Sequence, residues 1–312
     1  MNETLMETST LTELRSLFGE RLQENAPLSG YTAARIGGLA DVLVIAHSAD
    51  ELARSAKLLW EMKMPFILLG GGSNVLVSDN GVRGVVIINR ARKVVIDDQV
   101  EPPSVLAESG VTPNDISQRA ARLELTGFEW AAGIPGSLGG AIYGNAGAFG
   151  GDMAGNLVSL ELIHRDHGRQ VWPVEKMEYS YRSSTLKRDH QQVVILSAKL
   201  ALKKGDPRSI SSKMKEYSDR RHKTQPPGTS MGSMFKNPAG DKAGRLIEAA
   251  GLKGSRIGNA EISSQHANFF ITHEPTRAQD MKALIDLAQR TVAEKFGVTL
   301  ELEIELIGDW QN

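Results

Sequence analysis

The sequence predicts an α+β protein of three consecutive units, and three observations support this prediction. Residues 1–92 alternate helical and strand patterns, residues 93–205 carry mostly strand patterns, and residues 206–312 return to a mixed pattern. Alternating strands and helices are typical of α/β units, whereas a run of strands indicates a separate β-rich unit. The length of 312 residues is sufficient for two or three domains with buried cores.

The composition is that of an ordinary globular protein, with 41% hydrophobic residues, 23% charged residues and a net charge of −1. A near-neutral net charge gives no indication of a basic surface that would bind nucleic acid or an anionic membrane. No stretch has the roughly 18 apolar residues that a membrane span needs, and none resembles a signal peptide, so we expect a cytoplasmic protein. With no cysteine, the chain lacks disulfides and thiolate chemistry. His164 and His167 lie near Gly168 in a pattern that favours a hairpin turn, so we predict no metal site.

The first unit combines helical and strand patterns. Apolar spacing predicts a helix over 10–25 with Thr10 as its cap, and a second helix over 49–62 that Ser48 caps. Strands are expected at 42–46, 66–69, 75–77 and 85–88, with a turn at Asp79-Asn80-Gly81 before the last of them.

The second unit is interrupted by one helix, over 113–123, which Thr112 caps and Pro113 begins. Its strands are expected at 94–96, 104–109, 157–164, 171–174 and 193–202. A change of character at Gly205-Asp206-Pro207 marks a boundary to the third unit. There we expect helices over 208–223, 242–250 and 276–296, and strands over 268–272 and 298–307.

A glycine-rich stretch from Gly127 to Gly151 is the feature around which the chain is organised. It contains one charged residue, Glu129, together with enough large apolar residues to be buried, so we interpret it as a packed loop that faces a ligand. Free backbone N–H groups in such a loop suit an anion such as phosphate.

A second glycine loop, G-G-G-S-N, follows directly after a strand at residues 70–74. It lacks the lysine of a P-loop and the G-x-G-x-x-G of a dinucleotide site. We expect the two loops to converge on one extended ligand.

Several motifs occur in one order along the chain. They are T-x-x-R-I-G-G-x-A-D (Thr32–Asp41), G-G-G-S-N (Gly70–Asn74), G-I-P-G-x-x-G-G-A (Gly133–Ala141), N-A-G-A-x-G (Asn145–Gly150), Y-R-x-S (Tyr181–Ser184) and G-S-x-F-K-N-P (Gly232–Pro238). With these motifs the chain closely resembles the UDP-N-acetylenolpyruvoylglucosamine reductase family, from about Tyr31 to Gly308.

The resemblance implies a two-part FAD-binding domain of the vanillyl-alcohol oxidase (PCMH) type and a C-terminal α/β substrate-binding domain. It implies an NADPH-dependent flavoenzyme of peptidoglycan synthesis, with hydride passing from NADPH to non-covalent FAD and then to the enol ether of UDP-N-acetylglucosamine enolpyruvate. The cofactor-binding residues that it implies are Arg35, Gly70, Gly71, Gly72, Ser73, Asn74, Val75, Leu76, Gly133, Ile134, Pro135, Gly136, Gly139, Gly140, Asn145 and Gly147. It implies neither a metal nor an obligate protein partner.

Three catalytic positions follow from the resemblance. Arg182 would pair with the substrate carboxylate and stabilise an enolate-like intermediate, and Ser233 would deliver the proton. Glu303 would hold the intermediate through hydrogen bonds. Without the family, Arg182 is typical of a surface arginine at a strand end, Ser233 of a turn, and Glu303 of a solvated face shared with Glu301 and Glu305.

The sequence departs from the family in two places. Its terminal strand reads L-E-L-E from Leu300, where the family commonly has L-E-P-E, and spacing to Ile307-Gly308 selects Glu303. About fifty residues separate Y-R-x-S from G-S-x-F-K-N-P, so the chain resembles the shorter subclass that lacks an aromatic-bearing insertion. Lys236, Asn237 and Gln265 are then the candidate substrate-binding residues.

Two other functions stay open at this point. The chain has the pattern expected of an alcohol or sugar oxidase on the same FAD-binding fold, although an oxidase has no need of a proton donor such as Ser233. A flavin-binding protein without catalysis is the second alternative, and the presence of all three catalytic positions argues against it.

Overall fold

A computed structural model describes residues 7–310 of the chain. The chain divides into two compact units. The first unit comprises the described residues up to 43, residues 72–86 and the described residues from 221, and the second comprises residues 44–71 and 87–220. The three-part division expected from the sequence, 1–92, 93–205 and 206–312, stays a prediction.

The α-helices within the described residues differ widely in length. They are α1 (Thr8–Phe18), α2 (Ala49–Glu61), α3 (Pro113–Arg122), α4 (Leu138–Tyr143), α5 (Met153–Asn156), α6 (Thr185–Arg188), α7 (Pro207–Thr224), α8 (Ala243–Ala249) and α9 (Ala278–Phe296). Short 3₁₀ turns occupy Gly19–Arg21, Leu28–Tyr31, Glu129–Ala131 and Val174–Met177.

The strands of the described residues are mostly short. The first nine are β1 (Leu22–Pro27), β2 (Leu39–Ala46), β3 (Phe66–Leu69), β4 (Val75–Val77), β5 (Val82–Asn89), β6 (Val94–Asp97), β7 (Ser104–Glu108), β8 (Leu125–Thr126) and β9 (Gly147–Ala148). The others are β10 (Gly151–Asp152), β11 (Leu157–His164), β12 (Gly168–Pro173), β13 (Val193–Ala201), β14 (Lys203–Lys204), β15 (Thr229–Ser233), β16 (Arg256–Ile257), β17 (Ala260–Ile262), β18 (Phe269–Thr272) and β19 (Glu305–Ile307).

The first unit is built on an antiparallel sheet with strand order β15–β18–β17–β16. Helix α9 packs on this sheet with the apolar residues at helical spacing that the sequence predicts, among them Met281, Leu284 and Ile285, all fully buried. The Asp79 carboxylate accepts hydrogen bonds from the backbone N–H groups of Ala278 and Gln279, at 2.8 and 3.0 Å. A carboxylate at a helix N-terminus satisfies orphan donors and complements the helix dipole, so it fixes where α9 begins.

The second unit is built on a five-stranded antiparallel sheet with the order β12–β11–β13–β7–β6. Helix α2 packs against β13, and the Glu108 side chain of β7 accepts a hydrogen bond from the Ala49 N–H at the start of that helix. Helix α4, in the middle of the glycine-rich stretch, packs against β7 and β13. The glycine-rich stretch from Gly127 to Gly151, called the organising loop below, is therefore held in place by regular structure.

Most predicted elements are confirmed with boundaries within a few residues. Ser48 caps α2 by accepting a hydrogen bond from the Glu51 N–H at 3.2 Å, and Thr112 caps α3 through the Asp115 N–H at 3.1 Å. His164 pairs with Gly168 at the end of the β11–β12 hairpin, which confirms the predicted turn.

Two predicted elements are wrong. The helix expected over 10–25 begins at Thr8, so Thr10 lies inside it and is not its cap. It ends at Phe18, because Gly19 has a φ of +54° and turns the chain, and residues 22–27 form β1 instead. The strand expected over 298–307 is reduced to β19. In front of it Leu302 forms an isolated bridge with Phe235, while β19 pairs in parallel with β4. The chain bends at Glu303 because it changes pairing partners there.

Candidate active site

In the second unit the two glycine loops touch each other, and their convergence on one ligand stays a prediction. A Cβ atom added to Gly71 would lie 2.6 Å from the Cα of Gly136, and one added to Gly70 would overlap the Ser137 side chain. Real Cβ atoms do not approach backbone so closely, so the two main chains meet at a distance that only glycine allows.

Several N–H groups of the organising loop are used within the chain. The Gly139 N–H donates to the Ser109 carbonyl at 2.8 Å, and the Gly133 N–H donates to the Asn114 side chain at 2.8 Å. The Gly140 N–H donates to Ser137 Oγ, which caps α4. These three N–H groups are therefore used inside the unit, whereas the sequence led us to expect free donors.

The loop also satisfies its own buried charge. Glu129 is only 6% exposed, and its carboxylate accepts hydrogen bonds from the Thr126 hydroxyl and from the Gly127 N–H. Because a buried charge without partners is costly, these contacts explain how the one charged residue of the stretch is accommodated. Glu129 therefore stabilises the conformation of the loop through these hydrogen bonds.

Arg182 lies in a tight turn whose ends, Ser180 and Ser183, form an isolated antiparallel bridge. It has a φ of +54°, which is uncommon for a residue with a long side chain. Its guanidinium donates to the carbonyl of Gly147 at 3.1 Å and, at 3.5 Å, to that of Asn145. The candidate catalytic arginine therefore contacts the organising loop directly, and its strained backbone is typical of a functional position.

Asn145 ties the organising loop to the arginine turn. It is 5% exposed, with its side-chain amide donating to the Ser180 carbonyl at 3.1 Å and its Oδ1 accepting from the Ala154 N–H at 3.1 Å. Next to these contacts the buried Tyr179 hydroxyl donates to the Ile142 carbonyl at 2.9 Å, and burial raises the pKa of Tyr179 above its usual value. The tyrosine therefore stays protonated and keeps donating.

In the first unit, the remainder of the second glycine loop leads into β4. The Gly72 carbonyl accepts a hydrogen bond from the Ala33 N–H at 2.9 Å. The Asn74 side chain donates to the Glu303 carbonyl at 2.9 Å, and the Asn74 carbonyl accepts from the Glu305 N–H at 3.0 Å. Asn74 therefore anchors the bend that carries the third candidate catalytic residue.

Ser233 and Glu303 belong to the same part of the first unit. Ser233 ends β15 opposite Phe269, and two residues later Phe235 forms the bridge with Leu302. The Glu303 N–H donates to the Met234 carbonyl at 2.9 Å, so the residues that follow Ser233 and the bend at Glu303 are hydrogen-bonded neighbours. A separation of 70 positions in the sequence is thus closed by the Phe235–Leu302 bridge and the hydrogen bond between Glu303 and Met234.

The prediction that Glu301, Glu303 and Glu305 share one solvated face of a strand is wrong. Glu301 is exposed, but Glu303 and Glu305 are half-buried, and the bend at Glu303 interrupts the strand alternation. The Glu301 carboxylate instead forms an ion pair with Lys236.

The candidate substrate-binding side chains all have contacts within the unit. Besides the Lys236 pair, Asn237 Oδ1 accepts the N–H of Ala243, the first residue of α8, at 3.1 Å. The exposed Gln265 amide donates to the Lys223 and Gln225 carbonyls, and Arg35, with a φ of +54°, pairs with Glu274 at 3.2 Å.

The described residues contain neither a cluster of metal-ligating side chains nor a helix able to span a membrane. Between residues 7 and 310 no three histidine, aspartate or glutamate side chains are grouped as a metal site would require. Over the same part of the chain, no helix combines the length and the apolar character that crossing a bilayer demands.

Two family models match the sequence. One, described as an FAD binding domain, matches residues 40–172, and the other, described as the C-terminal domain of UDP-N-acetylenolpyruvoylglucosamine reductase, matches residues 223–307. The first match defines an FAD-binding protein, and it confirms the predicted α+β fold with a PCMH-type FAD-binding domain.

Individual relatives cover almost the whole chain. The UDP-N-acetylenolpyruvoylglucosamine reductase of Chloroflexus aggregans is 41% identical over 289 residues, which are 92% of this chain and 97% of the relative. That of Geobacillus kaustophilus is 39% identical over 302 residues, covering 95% and 96%. The crystal structure of the reductase from Thermus caldophilus superposes with a TM-score of 0.78 at 35% identity, covering 92% of this chain and 98% of that one. The chain belongs to the UDP-N-acetylenolpyruvoylglucosamine reductase family.

Proposed function

We propose that this chain is the NADPH-dependent flavoenzyme that reduces the enolpyruvyl ether of UDP-N-acetylglucosamine enolpyruvate to UDP-N-acetylmuramate, a peptidoglycan precursor. Family membership supports the reaction class. The observation that carries the assignment of roles is the hydrogen bond between the Glu303 N–H and the Met234 carbonyl, because it joins the Glu303 bend to the segment of Ser233.

The residues present fit FAD. The contact between Gly71 and Gly136 leaves no room for a Cβ atom, and such close approach of bare backbone is what a bulky anionic cofactor needs on one side. We assign FAD to Gly70–Leu76 and to the loop from Gly133 to Gly147, held without a covalent link. When bound, FAD supplies the hydride, which it receives from NADPH.

Reduction of an enol ether double bond also needs a proton and a counterion for the developing charge, and these tasks fall to the chain. Arg182 would pair with the substrate carboxylate and stabilise the enolate-like charge next to it. A guanidinium stays protonated throughout and offers a planar fork of donors. The carbonyls of Gly147 and Asn145 orient it before substrate arrives, so little reorganisation is required.

The Ser233 hydroxyl would deliver the proton to the substrate carbon. A serine hydroxyl is a weak acid, so its contribution depends on position within hydrogen-bond reach of that carbon. Glu303 would hold the intermediate through hydrogen bonds. Its carbonyl is anchored by Asn74 and its N–H by Met234, so the backbone on both sides of the carboxyl group is held.

Lys236, Asn237 and Gln265 remain our candidates for the nucleotide-sugar substrate, and Arg35 for the cofactor. Binding would require Lys236 to exchange its ion pair with Glu301 for a phosphate, which an exposed carboxylate permits at small cost. We further propose a cytoplasmic protein that acts on a small molecule, without nucleic acid, membrane or an obligate protein partner.

Stopped-flow absorbance of the oxidised flavin band tests the proposal. NADPH without oxygen should bleach the band, and UDP-N-acetylglucosamine enolpyruvate should restore it. In Ser233→Ala the bleaching should stay near the wild-type rate, while recovery slows by about 10²- to 10⁴-fold, since a positioned acid is lost.

Three outcomes would contradict these assignments. If only oxygen restored the band in the wild type, an oxidase on the same fold would replace the reductase. If Ser233→Ala slowed bleaching and recovery equally, Ser233 would not be the proton donor. Bound FAD that NADPH fails to reduce would point instead to a flavin-binding protein without catalysis.

A further inference from the structure

Asn268 is a buried amide that no motif in the sequence singled out. It directly precedes β18 and is 4% exposed. Its Oδ1 accepts a hydrogen bond from the Phe235 N–H at 3.0 Å, and its Nδ2 donates to the Phe235 carbonyl at 2.8 Å. The Asn268 carbonyl also accepts from the Met234 N–H at 2.8 Å. One residue thus makes three hydrogen bonds to two consecutive residues.

These bonds replace strand pairing where β15 and β18 lose their register. Thr229 and Ser230 pair with Thr272 and Ile271 in step, but the next pair joins Ser233 to Phe269, so β15 has one residue more than its partner. Gly232, with a φ of +76°, lies at this bulge. Bulges occur next to active sites, where they redirect a side chain, and here the bulge sets the register of Ser233.

After the bulge, the chain has no further ladder partner on β18, and the Asn268 side chain supplies the missing donor and acceptor. Met234 and Phe235 are fully buried, so their backbone groups need such partners. The same two residues lead on to the other candidate catalytic residue, because Phe235 bridges Leu302 and Met234 accepts from the Glu303 N–H. Asn268 therefore holds the two residues, Met234 and Phe235, through which the Ser233 segment contacts Leu302 and Glu303.

We propose that Asn268 is a positioning residue for the protonation step, which acts by fixing the backbone of Ser233 relative to Glu303. The inference rests on the proposed function, since it assigns Asn268 to the half-reaction in which Ser233 donates its proton. An amide is needed at this position because the Phe235 N–H requires an acceptor and the Phe235 carbonyl requires a donor. A carboxylate in the same place keeps the acceptor but loses the donor.

The experiment compares both half-reactions in Asn268→Ala and Asn268→Asp, with Asn259→Ala as the matched control. Asn259 is a half-buried asparagine of the same unit whose side chain also donates to a backbone carbonyl, that of Pro275 at 2.7 Å. We expect both Asn268 variants to bind FAD and to be bleached by NADPH at the wild-type rate. Recovery with the enolpyruvyl substrate should be slower by about 10- to 100-fold, since small misplacement of a reacting group has effects of this size.

A solvent deuterium isotope effect separates positioning from general damage. With the proton donor misplaced, proton transfer limits recovery, so the isotope effect on recovery should be larger in the Asn268 variants than in the wild type or in Asn259→Ala. Circular dichroism and flavin content report whether each variant is folded.

The inference is overturned if recovery in a folded Asn268 variant equals that of the wild type. It is also overturned if bleaching and recovery fall together with an unchanged isotope effect, because Asn268 would then serve the fold alone. Failure of the proposed function gives a different result, since the wild type itself would then bleach with NADPH but show no recovery with the enolpyruvyl substrate.

Discussion

Replacing Gly71 by alanine tests the contact between the two glycine loops. The new Cβ atom would lie 2.6 Å from the Gly136 Cα, whereas an ordinary contact begins at 3.4 Å, so one loop must move by about 0.8 Å. The neighbour is backbone rather than a flexible side chain, and the Gly139 N–H bond to Ser109 restrains the loop that carries it. Overpacking of this kind costs about 1–3 kcal/mol.

That cost should appear in cofactor affinity as well as in stability. If FAD requires the loops at their native distance, 1–3 kcal/mol corresponds to a dissociation constant about 5- to 150-fold higher. The assay is titration of the deflavinated protein with FAD, followed by the quenching of flavin fluorescence. Urea unfolding of the same sample gives the loss of stability independently.

The matched control is Gly155→Ala, because a Cβ atom at that helical position of α5 meets only Asp152 Oδ1, at an ordinary 3.6 Å. Alanine there should leave FAD affinity unchanged and stabilise slightly, by up to about 1 kcal/mol. If Gly71→Ala unfolded more easily but bound FAD like the wild type, the loop contact would be structural and the cofactor would lie elsewhere. Unchanged stability would refute the close approach itself.

Two further predictions concern local structure. Ser48→Ala should lower the free energy of unfolding by about 1 kcal/mol in urea, because the α2 cap is lost, whereas Ser48→Asp should preserve it; equal losses in both variants would contradict the capping role. Burial lowers the pKa of His266, whose Nδ1 accepts from the Asn268 N–H at 3.2 Å. The unfolded state therefore binds the proton more readily, and stability falls as the pH drops below about 6.5, by at most 1.4 kcal/mol per pH unit for this one group. Unfolding free energies of the wild type and of His266→Asn from pH 7.5 to 5.5 should show a weaker pH dependence in the variant, and parallel curves would refute this.

Local signals in the sequence predicted much of the fold. The caps at Ser48 and Thr112 and the strand from Phe66 to Leu69 depend on neighbouring residues, so their chemistry is visible in one stretch of chain. The glycine loops were also recognisable, because only glycine allows the close backbone approach seen at Gly71.

The errors have a common physical cause. Residues 22–25 continue a helical pattern yet form β1, and residues 298–304 alternate like a strand yet bend at Glu303. After the turn at Gly19 pairing with β2 outweighs the helical pattern, and near Glu303 pairing with Phe235 and with β4 outweighs the strand alternation. Likewise, three N–H groups of the organising loop bind Ser109, Asn114 and Ser137 rather than remaining available, which the residue types do not disclose.

The sequence by itself determined the family, the class of cofactor and the residue types for the chemistry, because these depend on motifs that survive as strings of residues. Only the tertiary structure decided which backbone groups those motifs contact. Three such contacts join positions between 33 and 229 residues apart. They are the bridge between Phe235 and Leu302, the hydrogen bond from Asn74 to the Glu303 carbonyl, and the hydrogen bonds between Asn268 and Phe235. Hydrogen-bond partners at such separations are selected by the packing of the whole unit, and no local pattern records them.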